Sequence, residues 1–251
     1  MHEMGPRLLD GQQLWVYYGS TTALEGLSFS LEGGSFTGLI GPNGAGKTTL
    51  LLVLSGQFRP RSGIVRFKGQ DIYERNLETK REIGYVHEEP FLYPHLTAEE
   101  HLTCIARMKK IRPAESGRQI PDLLDAFGLI EVRRKLTARL SLGMRKKLAL
   151  ASAMLGDPQI LFLDEALSGL DVEGLHRVKT TLKEFTERGG TVLLSSHNLD
   201  LMEKLCGRYA LLRRGRLIAD LDRRAIQSDL ESRVLALLAE FPNAIDFKGP
   251  D

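Results

Sequence analysis

A glycine-rich segment, GPNGAGKTTL, is the feature that most narrows what this chain can fold into. It follows the apolar run FTGLI (36–40) directly and fits the pattern G-x-x-x-x-G-K-[ST] from Gly41 to Thr48. Glycines let a loop turn so tightly that its backbone N–H groups point at phosphate oxygens. A buried strand before the segment and a helix beginning near Lys47 therefore predict a phosphate-binding loop in an α/β fold.

The loop residues are expected to surround the phosphates of a nucleotide. In this interpretation the Lys47 ammonium contacts the β- and γ-phosphates, and the Thr48 hydroxyl binds Mg²⁺. The expected nucleotide-contacting residues are Gly41, Pro42, Asn43, Gly44, Ala45, Gly46, Lys47, Thr48 and Thr49. A glycine turn with only a structural role is the competing interpretation, and the strand–loop–helix context disfavours it.

A second motif, ILFLDEA, places two carboxylates after an apolar run. The run predicts a central strand whose carboxyl end, where α/β sheets bind ligands, carries Asp164 and Glu165. Asp164 is expected to hold Mg²⁺ through a coordinated water, and Glu165 to polarise the water that attacks the γ-phosphate. A helix cap is the competing role for this pair. Together with the loop, the motif predicts a nucleoside triphosphatase.

Other segments extend the α/β pattern on both sides of a helical stretch. Further strands are predicted at 27–31, 63–69 and 191–196. A hairpin is predicted over 209–220, with its turn near Arg214–Gly215. Between about Phe91 and Leu155 helical periodicity replaces the strand-like runs, which predicts a helical insertion between two parts of the core.

The segment 225–241 has the apolar pattern of an amphipathic helix. Its apolar residues share one helical face and are Ile226, Leu230, Val234, Leu237 and Leu238. Docking of this face on the chain's own core is favoured over binding of a partner protein.

Composition limits the partners of the chain. Its 34 basic and 32 acidic residues leave a net charge of +2, whereas a duplex-binding protein usually has a larger or more clustered basic surplus. Direct binding of nucleic acid is therefore not expected. Cys104 and Cys206 lack a metal-binding spacing and favour a reducing compartment. No run of about 18 apolar residues predicts a membrane span, so any membrane part is expected from another chain.

The order of the motifs resembles that of the ATP-binding cassette (ABC) ATPases. Over roughly residues 10–220 the resemblance is carried by YYG, GPNGAGKTT, IGYVHEEP, LSLGMRKK, ILFLDEA, SGLD and LLSSHN. It implies ATP as the nucleotide, with Mg²⁺. It also implies an α/β P-loop NTPase (RecA-like) core with an N-terminal antiparallel β subdomain and an inserted α-helical subdomain.

The same resemblance divides the chain and places it in the cell. Residues 1–90 and 156–220 are expected to form the ATP-binding core with its β subdomain, residues 91–155 the helical subdomain, and residues 221–251 a C-terminal helical tail. Members of this family work with membrane-spanning permease subunits. The chain is therefore expected to be cytoplasmic and peripheral on the inner face of the cell membrane.

The most specific element of the resemblance is the signature segment, Leu140 to Met144, LSLGM. In this family two nucleotide-binding chains pack head to tail, and each ATP lies between the phosphate loop of one chain and the signature helix of the other. The Ser141 hydroxyl, the Gly143 N–H and the positive helix end are thus expected to contact the γ-phosphate of the partner's ATP. The partner is a second copy or a related ATPase subunit. An ordinary capped helix is the competing interpretation.

Three more residues match functional positions of the family. Tyr18 matches the aromatic residue that stacks on adenine, with Tyr17 as its competitor. His197 matches the histidine that contacts the γ-phosphate and orients the attacking water, and Asp171 matches a loop that crosses the dimer interface. The implied catalytic residues are Glu165, His197 and Lys47.

The chain departs from the usual family pattern at several positions. Leu142 and Met144 replace a glycine and a glutamine of the signature, and Glu88 stands where a glutamine is usual. A carboxylate can ligate Mg²⁺, so Glu88 joins Thr48 and Asp164 as an expected metal-binding residue. These forms resemble the ATPase subunits of ABC-2-type exporters. The expected permease-binding residues are Phe91, Leu92, Tyr93 and Leu96, although packing within the insertion explains each of them equally well.

Other functions compete with an exporter subunit. A soluble ABC protein that remodels nucleic acid, ribosomes or iron–sulphur assemblies is disfavoured by the single cassette and the near-neutral charge. A weakly hydrolysing regulatory module is disfavoured by the intact Lys47, Asp164, Glu165 and His197. A P-loop kinase is disfavoured because nothing in that class of enzyme requires the segment LSLGM. The basic run Arg145–Lys147 is interpreted as the polar face of the signature helix.

Overall fold

The computed structural model describes residues 7–74, 77–226 and 229–241. Within them, the strands β1 to β10 are Arg7–Tyr18, Thr21–Glu32, Phe36–Ile40, Ser62–Phe67, Gln70–Asp71, Ile83–Val86, Ile160–Asp164, Thr191–Ser195, Arg208–Arg213 and Arg216–Asp222. The helices α1 to α8 are Lys47–Leu54, Leu77–Arg81, Ala98–Met108, Pro113–Ala126, Leu142–Met154, Val172–Glu187, Leu199–Leu205 and Leu230–Glu240.

A six-stranded sheet forms the centre of the fold, in the order β10-β9-β3-β8-β7-β6. The strands from β9 to β6 are parallel, and β10 pairs antiparallel with β9 through the predicted hairpin. Every residue of β3, β7 and β8 is buried, as expected for apolar strands covered on both faces. Because these three strands are neighbours, the residues that follow their carboxyl ends lie at one edge of the sheet.

An antiparallel sheet, in the order β2-β1-β4-β5, contains the N-terminal strands. The buried residues of β1 and β2, among them Leu9, Leu14 and Leu24, pack in one cluster with Leu50 and Leu54 of α1. This packing places the antiparallel sheet beside the helix that follows the glycine loop. The α/β class and the N-terminal antiparallel sheet are therefore confirmed.

The chain between β6 and β7 is helical, as predicted. It contains α3, α4 and α5, with short 3₁₀ turns at Ile130–Val132 and Thr137–Arg139. Helix α3 begins with a capping box, in which Thr97 and Glu100 satisfy each other's backbone N–H groups. Buried residues of all three helices, such as Leu102, Leu124 and Leu150, join the core beneath the six-stranded sheet. The exact division at residues 90/91 and 155/156 stays a prediction.

The C-terminal helix packs on the chain's own core, which confirms the predicted docking. Leu230, Val234 and Leu237 are buried, and Ile226 and Leu238 are partly buried against the same cluster. The predicted start of this helix at residue 225 is wrong, because α8 begins at Leu230, where the Asp229 carboxylate accepts a hydrogen bond from the Ser232 N–H at 2.8 Å. Residues 227–228 and 242–251 of the predicted tail lie outside the described residues.

None of the helices within the described ranges is long and apolar enough to cross a membrane.

Candidate nucleotide-binding site

A cleft of about 600 Å³ opens where the glycine loop meets the carboxyl ends of β7 and β8. The predicted site residues that line it are Tyr18, Asn43, Gly44, Ala45, Gly46, Lys47, Thr48, Thr49, Glu88, Asp164, Glu165 and His197. Thr21, Thr22 and Ala23 at the start of β2 also line the cleft and were not predicted. The structure thus brings together the loop, both acidic residues and the histidine from three separate parts of the chain.

Lys47 lies buried at the base of the cleft. Its Nζ donates to the carbonyl oxygens of Gly41 at 2.7 Å and Pro42 at 3.2 Å, so these two residues hold the lysine and do not line the cleft. Burial lowers the pKa of Lys47, and the carboxylates of Glu165, Asp164 and Glu88 act in the opposite direction. A cation is therefore held at the first turn of α1, beside the carboxylates.

Gly46 shows why the loop needs glycine. It precedes α1 with φ of +101°, a conformation that side-chain-bearing residues rarely adopt, and an added Cβ would lie 2.6 Å from the carbonyl oxygen of Ala23. The loop can therefore pass close to β2 only without a side chain at this position. This contact also brings the start of β2 to the cleft.

The two acidic residues are held differently. Asp164 is buried, and its Oδ1 accepts a hydrogen bond from the Ser195 hydroxyl at 2.6 Å. Glu165 has φ of +46°, in the left-handed region, and its N–H donates to the Ser195 carbonyl and hydroxyl oxygens at 3.2 and 3.1 Å. Neither caps a helix, since Asp171 caps the following α6. The competing cap interpretation of this pair is therefore wrong.

The Glu165 carboxylate pairs with His197. Its Oε2 lies 3.0 Å from the His197 Nδ1, and the His197 side chain is 73% exposed at the mouth of the cleft. Burial raises the pKa of the Glu165 carboxyl, His197 and then Lys47 lower it, and Glu88 adds to the rise. The arrangement holds a carboxylate and an imidazole side by side, where they can take up and orient a water molecule.

The oxygen donors in the cleft fit Mg²⁺. The Thr48 hydroxyl and the carboxylates of Glu88 and Asp164 line the same space, and Mg²⁺ prefers one or two carboxylates together with waters and phosphate oxygens. Within the described ranges, no group of three or more His, Cys, Asp or Glu residues forms a preformed metal cage.

The two candidate aromatic residues are placed differently. Tyr18 lines the cleft, is 48% exposed and lies 5.6 Å from the Phe58 ring between centroids. Tyr17 stacks on Trp15 at 6.2 Å and does not line the cleft. This placement supports Tyr18 over Tyr17, and the stacking on adenine stays a prediction.

The signature residues lie outside the cleft. Ser141 precedes α5, and its hydroxyl accepts a hydrogen bond from the Met144 N–H at 3.3 Å. Gly143 lies in the first turn of α5 beside Gly169, and Leu142 is 49% exposed. Asp171 accepts a hydrogen bond from the Gly174 N–H at 2.7 Å. None of these residues lines the cleft, and their contacts with a partner stay a prediction.

Two polar residues beneath the site were missed. Ser195 supports both acidic residues from β8, and a polar residue at the carboxyl end of an apolar strand is the signal that could have found it. Lys146 is 4% exposed, so its assignment to the polar face of the signature helix is wrong. Leu150 and Ala153, four and seven positions later, are buried too, so helical phase would have placed Lys146 on the buried face.

Comparison with known proteins gives a consistent family. The sequence profile of the family described as "ABC transporter" matches residues 24–168. The linearmycin resistance ATP-binding protein LnrL of Bacillus subtilis is 33% identical over 212 residues, which are 84% of this chain and 68% of that protein. A Nod factor export ATP-binding protein I from Paraburkholderia xenovorans is 36% identical over 203 residues, which are 81% of this chain and 67% of that protein.

Coverage of the relatives is not uniform. An uncharacterized ABC transporter ATP-binding protein from Nostoc sp. is 39% identical over 198 residues, and the match spans 78% of this chain but only 58% of that protein.

Among solved structures, an ATP-binding subunit of an ABC transporter aligns with a TM-score of 0.85 and 31% identity, over 92% of this chain and 99% of that one. A dimeric cassette bound to ADP and phosphate aligns with a TM-score of 0.80 and 22% identity, over 87% and 100%; this second match shows the shared fold.

Proposed function

Since the chain belongs to the ABC transporter family of ATP-binding proteins, we propose that it binds and hydrolyses ATP to power an ABC-2-type exporter through ATP-driven dimerisation. One observation carries the proposal. The loop, Asp164, Glu165 and His197 line one cleft, whereas Ser141, which is exposed, and Gly143, which is partly exposed, do not line it. A chain of this kind has one assembled half of a nucleotide site and one exposed half.

The assembled half supplies the groups needed for hydrolysis. The loop N–H groups and the Lys47 ammonium bind the phosphates, and Tyr18 provides a platform for adenine. The Glu165 carboxylate polarises the attacking water, while His197 orients it and contacts the γ-phosphate. Thr48, Asp164 and Glu88 would hold Mg²⁺, which when bound neutralises charge that develops on the phosphates.

The exposed half acts on the nucleotide of a second chain. Ser141 and Gly143 stand at the N-terminus of α5, where backbone N–H groups and the helix dipole favour an anion. In a head-to-tail dimer this end of α5 meets the γ-phosphate held by the partner's loop, with Asp171 at the interface. The partner is a second copy of this chain or a related ATPase subunit.

A permease is the proposed membrane partner. A second cleft of about 230 Å³ lies between the segment after β6 and the helices α3 and α5, lined in part by Phe91 and Leu92. Phe91 is 79% exposed, which supports a docking surface for an apolar segment of the permease. Tyr93 and Leu96, which do not line this cleft, remain proposed contacts at its edge. The chain then lies at the inner face of the cell membrane.

The export assignment is drawn from two relatives. The Nod factor export and linearmycin resistance proteins are named for export and resistance, and this chain shares their cassette. A gene for a six-helix membrane protein beside the gene of this chain would favour an exporter subunit over a soluble ABC protein.

A Glu165→Gln variant tests the function. Loss of the water-polarising carboxylate is expected to lower the rate of ATP hydrolysis by about 10³-fold, within the range for removal of a general base. ATP binding should persist, so the variant should accumulate as an ATP-bound dimer in gel filtration. Glu89→Gln, one exposed residue beyond Glu88, is the matched control and should hydrolyse at the wild-type rate. Hydrolysis by Glu165→Gln at the wild-type rate would contradict the assignment.

A further inference from the structure

Lys146 is a buried cation that connects the signature helix to the catalytic carboxylate. It lies in the second turn of α5, five residues after Ser141. Its Nζ donates to the Glu165 carbonyl oxygen at 3.1 Å and to the Ser168 hydroxyl at 2.7 Å. A buried ammonium is costly unless polar groups satisfy it. Its placement therefore depends on these acceptors.

The backbone that Lys146 contacts is itself unusual. Glu165 adopts a left-handed conformation with φ of +46°, which a residue with a side chain adopts only where its surroundings hold it. The carbonyl oxygen of Glu165 accepts hydrogen bonds from Lys146, from the Ser168 hydroxyl at 2.8 Å and from the Ser168 N–H at 3.3 Å. The N–H of Glu165 donates to Ser195 on β8. Both sides of this residue are fixed, by β8 on one side and by α5 and Ser168 on the other.

We propose that Lys146 is a positioning residue: it fixes the strained backbone of Glu165 and thereby links the signature helix of this chain to its own water-polarising carboxylate. The inference rests on the proposed function, because the carboxylate positioned is the one assigned to hydrolysis. Lys146 does not line the cleft, and its hydrogen-bond acceptors are the Glu165 carbonyl and the Ser168 hydroxyl, so it acts through Glu165. The same short helical segment carries Ser141, which contacts the partner's ATP in the proposed dimer. Binding at that end of α5 is thus coupled to the geometry of the chain's own catalytic residue.

The geometry predicts a change in turnover with nucleotide affinity retained. Lys146→Met keeps the apolar stem and removes the ammonium, so the phosphate loop and Tyr18 should bind ATP as before. The expected result is a decrease in kcat of about 10- to 100-fold, by analogy with the removal of residues that orient metal ligands from behind, with the monomer Kd for ATP changed less than about twofold. Lys146→Arg retains the donor and should restore most of kcat.

A control variant tests whether the loss of an exposed lysine charge elsewhere in the chain also lowers kcat. Lys183 on α6 is exposed and pairs with Glu187 at 3.7 Å; Lys183→Met should leave kcat unchanged. Ser168→Ala removes the second donor to Glu165 and should lower kcat by less than Lys146→Met does. If Lys146→Met does not fold, Ser168→Ala decides: a lower kcat with unchanged Kd supports the inference, and an unchanged kcat overturns it.

Dimerisation distinguishes this inference from the proposed function. In a Glu165→Gln background, Lys146→Met should still form the ATP-bound dimer, because Ser141 and Gly143 remain. Loss of that dimer would assign Lys146 to the phosphate contact and overturn the positioning role. An unchanged kcat in Lys146→Met would overturn it also. Failure of the wild-type chain to hydrolyse ATP, or of Glu165→Gln alone to dimerise, would contradict the proposed function instead.

Discussion

The cleft and the signature segment are the two proposed anion-binding regions, and they differ in how many of their groups the chain itself brings together. In the cleft, Lys47, Asp164 and Glu165 each have their hydrogen-bond partners within the chain. At the signature segment, the Ser141 hydroxyl caps α5 and the neighbouring Leu142 is exposed. Neither residue lines the cleft. One region is a pocket, and the other is a surface.

The difference indicates where each region finds its ligand. A pocket lined by the glycine loop, a lysine and three acidic residues is suited to bind a nucleotide within one chain. A capped helix end on a surface is expected to bind a freely dissolved anion weakly. It can, however, contact an anion that another chain already holds. The buried Lys146 links α5 to Glu165 through the interior. The two regions are therefore separate on the surface but connected inside the fold.

The largest expected effect comes from changing the charge at the exposed helix end. In the Glu165→Gln background, Ser141→Asp keeps a good helix cap but places a carboxylate against the partner's γ-phosphate. We expect the dimer dissociation constant in ATP to rise by at least about 100-fold, because juxtaposed like charges cost several kcal/mol. Sedimentation velocity with ATP measures the dimer, and equilibrium binding measures the monomer's affinity, which should be unchanged.

A neutral variant sharpens that result. Ser141→Asn also caps a helix and adds no charge, so it should weaken the dimer less than Ser141→Asp does. A loss of ATP binding by the monomer in either variant would mean that Ser141 serves the chain's own cleft, and the comparison between the two regions would then fail.

A second prediction concerns the helical insertion that carries the signature segment. His101 on α3 is 2% exposed, its Nδ1 has no hydrogen-bond partner, and burial lowers its pKa to about 4. The folded chain therefore keeps this ring neutral, whereas the unfolded chain takes up a proton below pH 6.5. The contribution of His101 to the free energy of unfolding is therefore fully present above pH 6.5. It decreases by about 3 kcal/mol as the pH falls to 4.

Urea unfolding at pH 7 and pH 4 measures this effect. His101→Phe removes the titrating ring, so its free energy of unfolding should fall by about 3 kcal/mol less than that of the wild type over this range. His95→Phe, at an exposed position of the same insertion, is the control and should follow the wild type. Equal pH dependence of His101→Phe and the wild type would show that the folded insertion does not keep this ring neutral.

Much of the cleft could be predicted because each of its parts is a short motif that is continuous in sequence. The loop, the acidic pair and His197 each follow an apolar run, and parallel strands deliver their carboxyl ends to one edge. Ser195 and Lys146 were missed for a different reason, since their roles depend on contacts between elements far apart in the chain. The order β3-β8-β7, which sets those contacts, depends on packing of whole strands and is not encoded in any one motif.

The choice between the two tyrosines shows the same limit on a smaller scale. Tyr17 and Tyr18 are adjacent, and alternation along β1 turns them to opposite faces. Which face meets the cleft depends on the approach of β2 to the glycine loop, where Ala23 lies close to Gly46. These two segments are distant in sequence, so no local pattern reveals the contact. The structure brings Tyr18 to the cleft and packs Tyr17 on Trp15.

The smallest expected effect is on nucleotide affinity at this aromatic position. Tyr18→Ala removes the proposed platform for adenine, and a stacked base contributes about 1–3 kcal/mol, so the Kd for ATP should rise by about tenfold. Tyr17→Ala is a closely matched control, because it removes the same side chain from the next position and should leave the Kd nearly unchanged. Titration of a fluorescent ATP analogue measures both. Because the proposed contact of Tyr18 is with the base and not with the phosphates, kcat at saturating ATP should stay within about twofold of the wild type. A larger loss of affinity in Tyr17→Ala than in Tyr18→Ala would reverse the assignment and place adenine on the other face of β1.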